Sequence, residues 1–504
     1  IPKLNAYETG LINKIRNYDA YLLSGLFARM RIDSVNEKDY FCYAHVSGYM
    51  IPYVAWCVRN ALEKGINTLY FISRDGHFLK EIADAYINMH QLSIKTKYFY
   101  GSRRAWRIPA MIDNIDDEFF SNFGNLVGVD NYEKLLSALD ISHNLFQKYF
   151  HELGLNKTSH INATDLVSLR NFFSKSEKYR GYLLERAKCK REIVIDYIKQ
   201  EINPDEKYAF VEYWARGYTQ TCLSKLLECA FKKSSECIFY YYRSILPSNE
   251  NNIRLNYSTN NISLIPVEAI FANCPHETVT GYKYEKGKVL PIISRARFDA
   301  ELYWSLGKYL KLFVKDFYSL PFVSNIETIE RNFSIFSFEW YRDHQDDPVV
   351  VKSMAHLLYS ESYLGALREF APAITSESLA LLKQGKPVGA FTRSIKMSLA
   401  RSTPSIKKEY QEYLKNPKAL SAKPSNAKQK VLPTNTSKVK IKEPAKINQH
   451  LAAQSSDSRK IRLLNKLERN PEMFFSDSNK KIVRLAGKTA FNPILKPVLG
   501  NVII

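Results

Sequence analysis

The sequence lacks the features that mark disulfide-linked, zinc-bound and membrane-spanning proteins. Its seven cysteines are an odd number and form no CxxC pair, which argues against a disulfide framework and a zinc site. It contains no apolar run of about 18 or more residues, and no signal-peptide pattern opens the chain. We therefore expect a cytoplasmic protein that is soluble or peripheral to a membrane.

Several widespread catalytic motifs are missing as well. The chain contains no GxxxxGK[ST] phosphate loop, no GxGxxG dinucleotide fingerprint, no GxSxG nucleophile elbow and no HExxH zinc motif. Any catalytic site must therefore be found from the positions of charged side chains relative to predicted strands.

Basic residues outnumber acidic residues, 72 to 51, and most of the excess lies near the C-terminus. Residues 401–504 contain 22 Lys and Arg against 7 Asp and Glu. Their Pro, Ser, Asn and Lys content predicts a disordered basic linker over 401–450, and basic and apolar residues alternate at helical spacing within 451–504. Such a tail suits an anionic membrane surface or a nucleic acid, and its amphipathic helix suits a membrane or a partner.

Apolar runs that end in polar loops predict an α/β core with a mostly parallel, Rossmann-like sheet. The first run, 69–72, is followed by turn residues and then by apolar residues at helical spacing. Further strands are predicted at 96–100, 208–214 and 237–242. At the carboxyl ends of such strands, helix N-termini offer unpaired N–H groups to anions.

The same patterns divide the chain into five segments. We predict an N-terminal helical segment, interrupted at Gly48 and Pro52, an α/β core with a helical insertion, a helical subdomain, the basic linker and the amphipathic basic segment. Their bounds are 1–65, 66–296 with the insertion at about 116–205, 297–400, 401–450 and 451–504.

Arginines follow three of the predicted strands. Arg74, Arg103, Arg104 and Arg216 would form a cluster suited to a di- or polyphosphate, because guanidinium groups bind phosphate oxygens in pairs. Pairing with Asp or Glu at the sheet edge is the alternative for any one of them. Four arginines at strand ends favour convergence on one anion.

Two acidic residues are further candidates for the site. Asp75 is a candidate Mg²⁺ ligand or a base that accepts a hydroxyl proton, and its alternative role is a helix N-cap. Glu212 sits inside the apolar strand predicted at 208–214, where an unpaired carboxylate is costly, so we expect it to meet a metal ion, a ribose hydroxyl or an arginine.

The remaining candidates surround these charges. Gly217, Tyr218 and Thr219 at a helix start could bind a phosphate monoester, although turn geometry also explains the glycine. Glu268 and His276 flank a loop that is a candidate cover for the site, and a structural role is the alternative for the histidine. The loops also contribute the candidate substrate-binding residues Ser73, Gly76, Ser102 and Gln220.

Three motifs together resemble the glycan phosphoribosyltransferase domain of bacterial ribofuranosyltransferases. These proteins build ribose-containing O-antigens and capsules, and they often join this domain to a haloacid-dehalogenase-type phosphatase. The resemblance spans about residues 40–400. The motifs are Tyr70-Phe71-Ile72-Ser73-Arg74-Asp75-Gly76, Tyr100-Gly101-Ser102-Arg103-Arg104-Ala105, and Val211-Glu212 leading to Arg216-Gly217-Tyr218-Thr219-Gln220.

The resemblance implies a divergent phosphoribosyltransferase core that transfers 5-phosphoribosyl from phosphoribosyl pyrophosphate to a hydroxyl of a glycan acceptor, free or lipid-linked. It implies that Arg74, Arg103 and Arg104 hold the pyrophosphate and that Arg216 to Thr219 hold the 5-phosphate. Glu212 would meet Mg²⁺ or the ribose hydroxyls, and Asp75 or Glu212 would stabilise the oxocarbenium or deprotonate the acceptor. The chain has no DxDxT signature, so removal of the 5-phosphate needs another domain or protein.

The tail resembles the C-terminal segment of many bacterial surface-polysaccharide glycosyltransferases in its basic-apolar stretch at 459–469 and in Asn470-Pro471-Glu472-Met473-Phe474-Phe475-Ser476-Asp477-Ser478. This resemblance favours the inner face of the cytoplasmic membrane over nucleic acid as its partner.

Two other functions remain open at this stage. A haloacid-dehalogenase-like phosphohydrolase is suggested by the strand that ends near Asp75, although His77 stands where that family has a second aspartate. A non-enzymatic scaffold that binds nucleic acid or lipid through 401–504 is the other.

Overall fold

The computed structural model describes most of residues 3–415 and none beyond them. The described residues are 3–34, 36–115, 129–139, 141, 151, 160, 161, 165, 168, 169, 171, 172, 175–233, 236–245, 247–259, 263–359, 367–384 and 392–415. The predicted amphipathic segment, the linker after residue 415 and much of the predicted insertion before residue 175 lie outside them.

Five parallel strands form the central sheet, which confirms the predicted α/β class. The strands are β1 Thr68–Ile72, β2 Lys95–Phe99, β3 Tyr208–Val211, β5 Cys237–Tyr241 and β7 Asn252–Asn256, in the order β2-β1-β3-β5-β7. This is one of the two common strand orders of doubly wound sheets. After β1 the chain first builds outward to β2 and then returns to the other side with β3, so the winding direction reverses between β1 and β3.

Short strands complete the β-structure. β4 Trp214–Ala215 pairs with β6 Arg243–Ser244, β8 Gly281–Glu285 forms a hairpin with β9 Lys288–Ile292, and β10 Leu358–Tyr359 pairs with β11 Arg368–Glu369.

Helices cover both faces of the sheet. A π-helix, Phe41–Val46, joins the third and fourth α-helices. The α-helices are α1 Ala6–Ile15, α2 Tyr18–Asp33, α3 Glu37–Tyr40, α4 Ser47–Glu63, α5 Gly76–His90, α6 Arg103–Trp106, α7 Tyr132–Leu139, α8 Glu177–Glu201, α9 Tyr218–Phe231, α10 Ile265–Ala272, α11 Ala300–Tyr318, α12 Ile326–Asp343, α13 Pro348–Met354, α14 Ser376–Lys383, α15 Ile395–Arg401 and α16 Pro404–Lys415.

Alternate residues of β1 enter two different cores, as the two-residue period of a strand requires. Leu69 and Phe71 pack with α4, α5, α11 and α12, whereas Tyr70 and Ile72 pack with α8 and α9. Because both faces are covered, all five residues of β1 are buried. The unbroken apolar run at 69–72 is the sequence signal of this two-sided burial.

The N-terminal helices and those after residue 297 share one core. Arg59 on α4 forms two hydrogen bonds to Glu330 on α12, at 2.9 and 2.5 Å, and Glu330 is only 1% exposed. At Gly48 a Cβ atom would lie 2.0 Å from the Ser337 hydroxyl, so α4 and α12 approach closely there. The two helical segments therefore fold together.

The predicted interruption at Gly48 and Pro52 is wrong. α4 runs continuously from Ser47 to Glu63 with Pro52 inside it. An internal proline costs about 3 kcal/mol of helix propensity. Almost every residue from Ser47 to Val58 is buried, and this tertiary packing outweighs that cost.

The linker predicted from residue 401 is also wrong for its first part. Residues Pro404–Lys415 form α16. Ile406, Tyr410 and Tyr413 recur at helical spacing and pack against Leu379 and Leu382 of α14. The abundance of Lys, Ser and Pro nearby hid this short apolar stripe.

Candidate functional site

The loops after β1, β2 and β3 meet at one edge of the sheet, because parallel strands end on the same side. The Ser73 hydroxyl donates to the carbonyl of Gly101 at 2.9 Å and accepts from the Gly101 N–H at 3.1 Å. The Ser73 N–H donates to the carbonyl of Phe99 at 3.0 Å. These bonds fix the first two loops to each other, beside the β1–β3 switch point where doubly wound sheets bind ligands.

Helix α5 begins directly behind this edge. Gly76 stands at its first position, where a Cβ atom would lie 2.5 Å from the backbone carbon of Phe71. Only glycine lets the helix start so close to β1. Asp75 occupies the N-cap position but its side chain makes no capping hydrogen bond, so its alternative role as a cap is not what holds it there.

Asp75 and Glu212 lie on adjacent loops and influence each other. Burial and the charge of Glu268 raise the pKa of Asp75 to about 6. Burial and the charge of Asp75 raise the pKa of Glu212 to about 8. Both carboxyl groups therefore exchange protons near neutral pH, far above the ordinary range of Asp and Glu.

Glu212 has an unsatisfied polar atom. Its Oε2 is buried and makes no hydrogen bond to any part of the chain that the structure describes, while the Tyr241 hydroxyl lies beside the carboxyl and lowers its pKa. A buried oxygen without a partner costs free energy unless a cation or a ligand donor meets it. The backbone N–H of Tyr213, which follows Glu212 directly, lowers the pKa of Asp75.

Two of the predicted arginines reach these carboxyl groups. Arg103 lowers the pKa of both Asp75 and Glu212, and it is exposed to solvent. Arg74 lowers the pKa of Asp75, Cys274 and His276. Arg74 and Arg103 thus both act on the charge of Asp75. Arg104 in α6 and Arg216 in the loop after β4 are half-buried.

Other predicted ligands turn into the protein interior. Gln220 is fully buried and donates to the carbonyls of Cys237 and Ile253 at 2.6 and 3.1 Å. Tyr218 and Thr219 are 3% and 2% exposed. Of this motif, the turn at Gly217, with φ +90°, and the backbone N–H groups at the start of α9 remain at the sheet edge.

Ser102 has a structural role at the start of α6. Its hydroxyl accepts from the N–H of Ala105 at 3.1 Å and donates to the carbonyl of Val279 at 2.6 Å. These two contacts place Arg103 and Arg104 at the first two positions of the helix.

His276 is held by its neighbours. Its Nδ1 lies 2.9 Å from the carbonyl of Glu277, and its Nε2 lies 2.9 Å from the Tyr98 hydroxyl. Because a carbonyl only accepts, Nδ1 carries the hydrogen and Nε2 accepts from the tyrosine. Burial lowers its pKa, which keeps the ring neutral. Glu268 lies in the first turn of α10, and its charge raises the pKa of Asp75.

Three residues near the site were missed in the sequence. Arg107 is 2% exposed, and its guanidinium carbon lies 5.1 Å from the ring centre of Tyr218. Tyr241 contacts Glu212 from inside β5, and Cys274 lies near Arg74 and Asp75. The sequence Arg-Arg-Ala-Trp-Arg contained the signal for Arg107, because a third arginine there falls one turn beyond Arg103.

Asp75 and Glu212 offer the donor set that Mg²⁺ uses beside substrate phosphates, one or two carboxylates with water completing the shell. The orphaned Oε2 of Glu212 fits such a cation. Within the described ranges, no group of three or more His, Cys, Asp or Glu could hold a metal ion without further ligands.

No protein-family model matches the chain, and no curated protein gives a significant match. Among the residues described above, no helix combines the length and apolar character needed to cross a membrane.

Proposed function

We propose that the chain is a glycosyltransferase of surface-polysaccharide biosynthesis that transfers 5-phosphoribosyl from phosphoribosyl pyrophosphate to a glycan hydroxyl. The observation that carries the proposal is the pair Asp75 and Glu212, with raised pKa values, flanked by Arg74 and Arg103 at the switch point of a doubly wound sheet. Perturbed carboxyl groups beside fixed cations at such a point are typical of a site for an anionic substrate.

The cations suit the leaving group. As the bond from ribose C1 to the pyrophosphate oxygen breaks, the electron pair passes to pyrophosphate and its negative charge increases. Arg74 and Arg103 are in place before the reaction, so their attraction grows most in the transition state, where it lowers the barrier. The N–H groups at the start of α9, behind Gly217, would bind the 5-phosphate.

The carboxyl groups suit the other half of the reaction. The developing positive charge on the ribose ring favours a nearby carboxylate, and the acceptor hydroxyl must lose a proton to a base. A base is most effective when its pKa lies near the working pH, as the values of about 6 for Asp75 and about 8 for Glu212 do. Mg²⁺ held by these two residues would neutralise phosphate charge when bound.

The setting of the reaction follows from the resemblance and the tail. We propose that residues 401–504, with 22 Lys and Arg, hold the protein on the inner face of the bacterial cytoplasmic membrane, where a lipid-linked acceptor would be presented. A separate phosphatase domain or protein would remove the 5-phosphate after transfer.

Donor binding is the direct test. We expect the purified protein to bind phosphoribosyl pyrophosphate with Mg²⁺ in isothermal titration calorimetry. Arg103→Ala should weaken binding about tenfold to a hundredfold, since a charge-assisted contact to phosphate is worth about 1.5–3 kcal/mol. The matched control Arg331→Ala changes an exposed arginine on α12 and should bind like the wild type. Equal affinity of all three proteins would remove Arg103 from the site.

Product analysis separates transfer from hydrolysis. With donor, Mg²⁺ and a synthetic glycan, pyrophosphate release should require the glycan. Release of inorganic phosphate without acceptor would instead support the phosphohydrolase suggested by the strand that ends near Asp75.

A further inference from the structure

A cavity lies at the far end of α10 from Glu268, and the donor site described above does not use it. Its volume is about 260 Å³, and it is lined by the end of α10 and by the segments at 297–299 and 356–358. The side chains that give it chemical character are Asn273, Arg297, Phe298, Asp299 and His356.

The cavity lies one helix turn from Glu268, whose charge raises the pKa of Asp75. Glu268 and Ala272 are four residues apart on α10, about 6 Å along the helix axis, and Ala272 lines the cavity. Cys274 follows the lining residue Asn273 directly, and the charges of Arg74 and Asp75 both act on its thiol. One helix turn thus connects the donor site with the cavity.

A series of aromatic contacts gives a second connection. The ring centres of Phe298 and Tyr303 are 5.3 Å apart, and those of Tyr303 and His77 are 5.6 Å apart. The Tyr303 hydroxyl also lies 3.1 Å from Nε2 of His77, two residues after Asp75. A ligand in the cavity would therefore approach the donor from the side of α10.

Asp299 fixes the orientation and the proton of His356. The Nε2 atom of His356 lies 2.5 Å from Oδ2 of Asp299, which also accepts from Lys38 at 2.8 Å. Because a carboxylate only accepts, Nε2 carries the hydrogen, and in the neutral ring Nδ1 then keeps its lone pair. Nδ1 makes no hydrogen bond to any residue that the structure describes, so it can accept one from a ligand.

The other lining groups complement this acceptor. Arg297 is exposed and forms no ion pair with any of the described residues, so its guanidinium can donate to a ligand. Asn273 donates to the carbonyl of Asp299 at 3.1 Å and accepts from its N–H at 2.6 Å, which holds the wall in place. A half-exposed aromatic ring, one donor and one acceptor form a set suited to a sugar, with its apolar ring face and its hydroxyls.

We propose that this cavity is the acceptor subsite, which binds one sugar residue of the glycan with its ring against Phe298, a hydroxyl donating to Nδ1 of His356, and Arg297 donating to a ring substituent. The identity of that sugar as an acceptor rests on the proposed transferase function. Asp299 is a positioning residue that acts through His356.

The binding test uses four probes, the p-nitrophenyl β-D-glycosides of glucose, galactose, N-acetylglucosamine and N-acetylgalactosamine. We expect saturation-transfer NMR to detect at least one of them on the full chain. Arg297→Ala and His356→Gln should each weaken that binding tenfold or more, while Arg331→Ala leaves it unchanged. No binding of any probe to the wild type, or equal binding by all variants, would overturn the proposal.

A parallel titration with phosphoribosyl pyrophosphate and Mg²⁺ separates the two proposals. Donor affinity should stay within about twofold in both cavity variants, and a large loss would show that the cavity belongs to the donor site instead. If the wild type binds a glycoside but not the donor, the transferase proposal fails and the saccharide site stands.

A separate NMR experiment tests the positioning role of Asp299. Asp299→Asn places an amide beside Nε2 that can donate to it, which favours hydrogen on Nδ1 and removes the acceptor. We expect the ¹⁵N shifts of His356 to report the exchange of tautomer together with the loss of glycoside binding. Lost binding with unchanged ¹⁵N shifts would refute the positioning role.

Discussion

The raised pKa of Glu212 makes the free energy of unfolding depend on pH. Its folded-state pKa of about 8 lies above the ordinary value of 4.5, so the folded protein holds this proton more tightly than the unfolded chain. Between these two pH values the folded state binds more protons, and the free energy of unfolding therefore falls as pH rises. This buried carboxyl is a cost to the fold, as expected of a group kept for function.

Glu212→Gln removes that cost. We expect the variant to be more stable than the wild type at pH 8, on the order of 4 kcal/mol, with the difference disappearing towards pH 4. Urea denaturation at several pH values measures this. Glu236→Gln, which changes an exposed side chain, is the control and should show no such trend. Parallel stability curves for wild type and Glu212→Gln would contradict the raised pKa.

At the residue scale, the positions of the candidate site residues could be predicted from the sequence better than their roles. Arg74, Arg103, Asp75 and Glu212 could be placed at one sheet edge because strand ends are visible as breaks in apolar runs. Gln220 could not be excluded, because its side chain bonds strand carbonyls that lie 17 and 33 residues away in the chain. Arg107 was missed although it stands one turn beyond Arg103, because the local pattern does not show that its side chain is buried.

The contact between α5 and β1 depends on the missing side chain of Gly76. A Cβ atom there would overlap the backbone of Phe71, so Gly76→Ala should move the helix start and destabilise the fold by about 1–3 kcal/mol. Gly25→Ala is the matched control, because nothing lies within 4 Å of its added Cβ on α2. The control should be stabilised by about 0.5–1 kcal/mol.

Chemical denaturation with a common urea slope measures both glycine variants. If Gly76→Ala were as stable as the wild type, the close approach of α5 to β1 would be relaxed in solution, and the loop that carries Asp75 would not be fixed by it.

At the element scale, four of the five strands of the central sheet were predicted from the sequence, and β7 was missed. β1, β3 and β5 are apolar runs, whereas β7 is the polar sequence Asn-Ile-Arg-Leu-Asn and gains its pairing from β5. The predicted helix interruption at Pro52 was wrong. The low helix propensity of proline was outweighed there by packing against α12, which is distant in the sequence.

For the whole molecule, residues 1–422 form one compact unit. A chain that ends at residue 422 should therefore keep donor binding and pyrophosphate release with a soluble acceptor, and its midpoint of thermal unfolding should stay within ~2 °C. It should lose binding to vesicles that contain phosphatidylglycerol, because the removed segment carries most of the basic excess. Vesicle flotation and calorimetry measure the two properties, and vesicle binding that survives truncation would refute the role of the tail.

Across the molecule, the α/β class and the parallel sheet were predictable from alternating strand and helix patterns. The shared core of the N-terminal helices and those after residue 297 was not, since it depends on contacts such as Arg59 with Glu330 that only the folded chain brings together.

The border strand β2 has a consequence for solubility. Among the described strands it pairs only with β1, so its other side offers unpaired backbone groups to any extended peptide. Lys95 and Lys97 stand on this strand with exposed side chains. A second chain that added itself there would have to strip water from two ammonium groups, which discourages fibrous aggregation even when many copies crowd together.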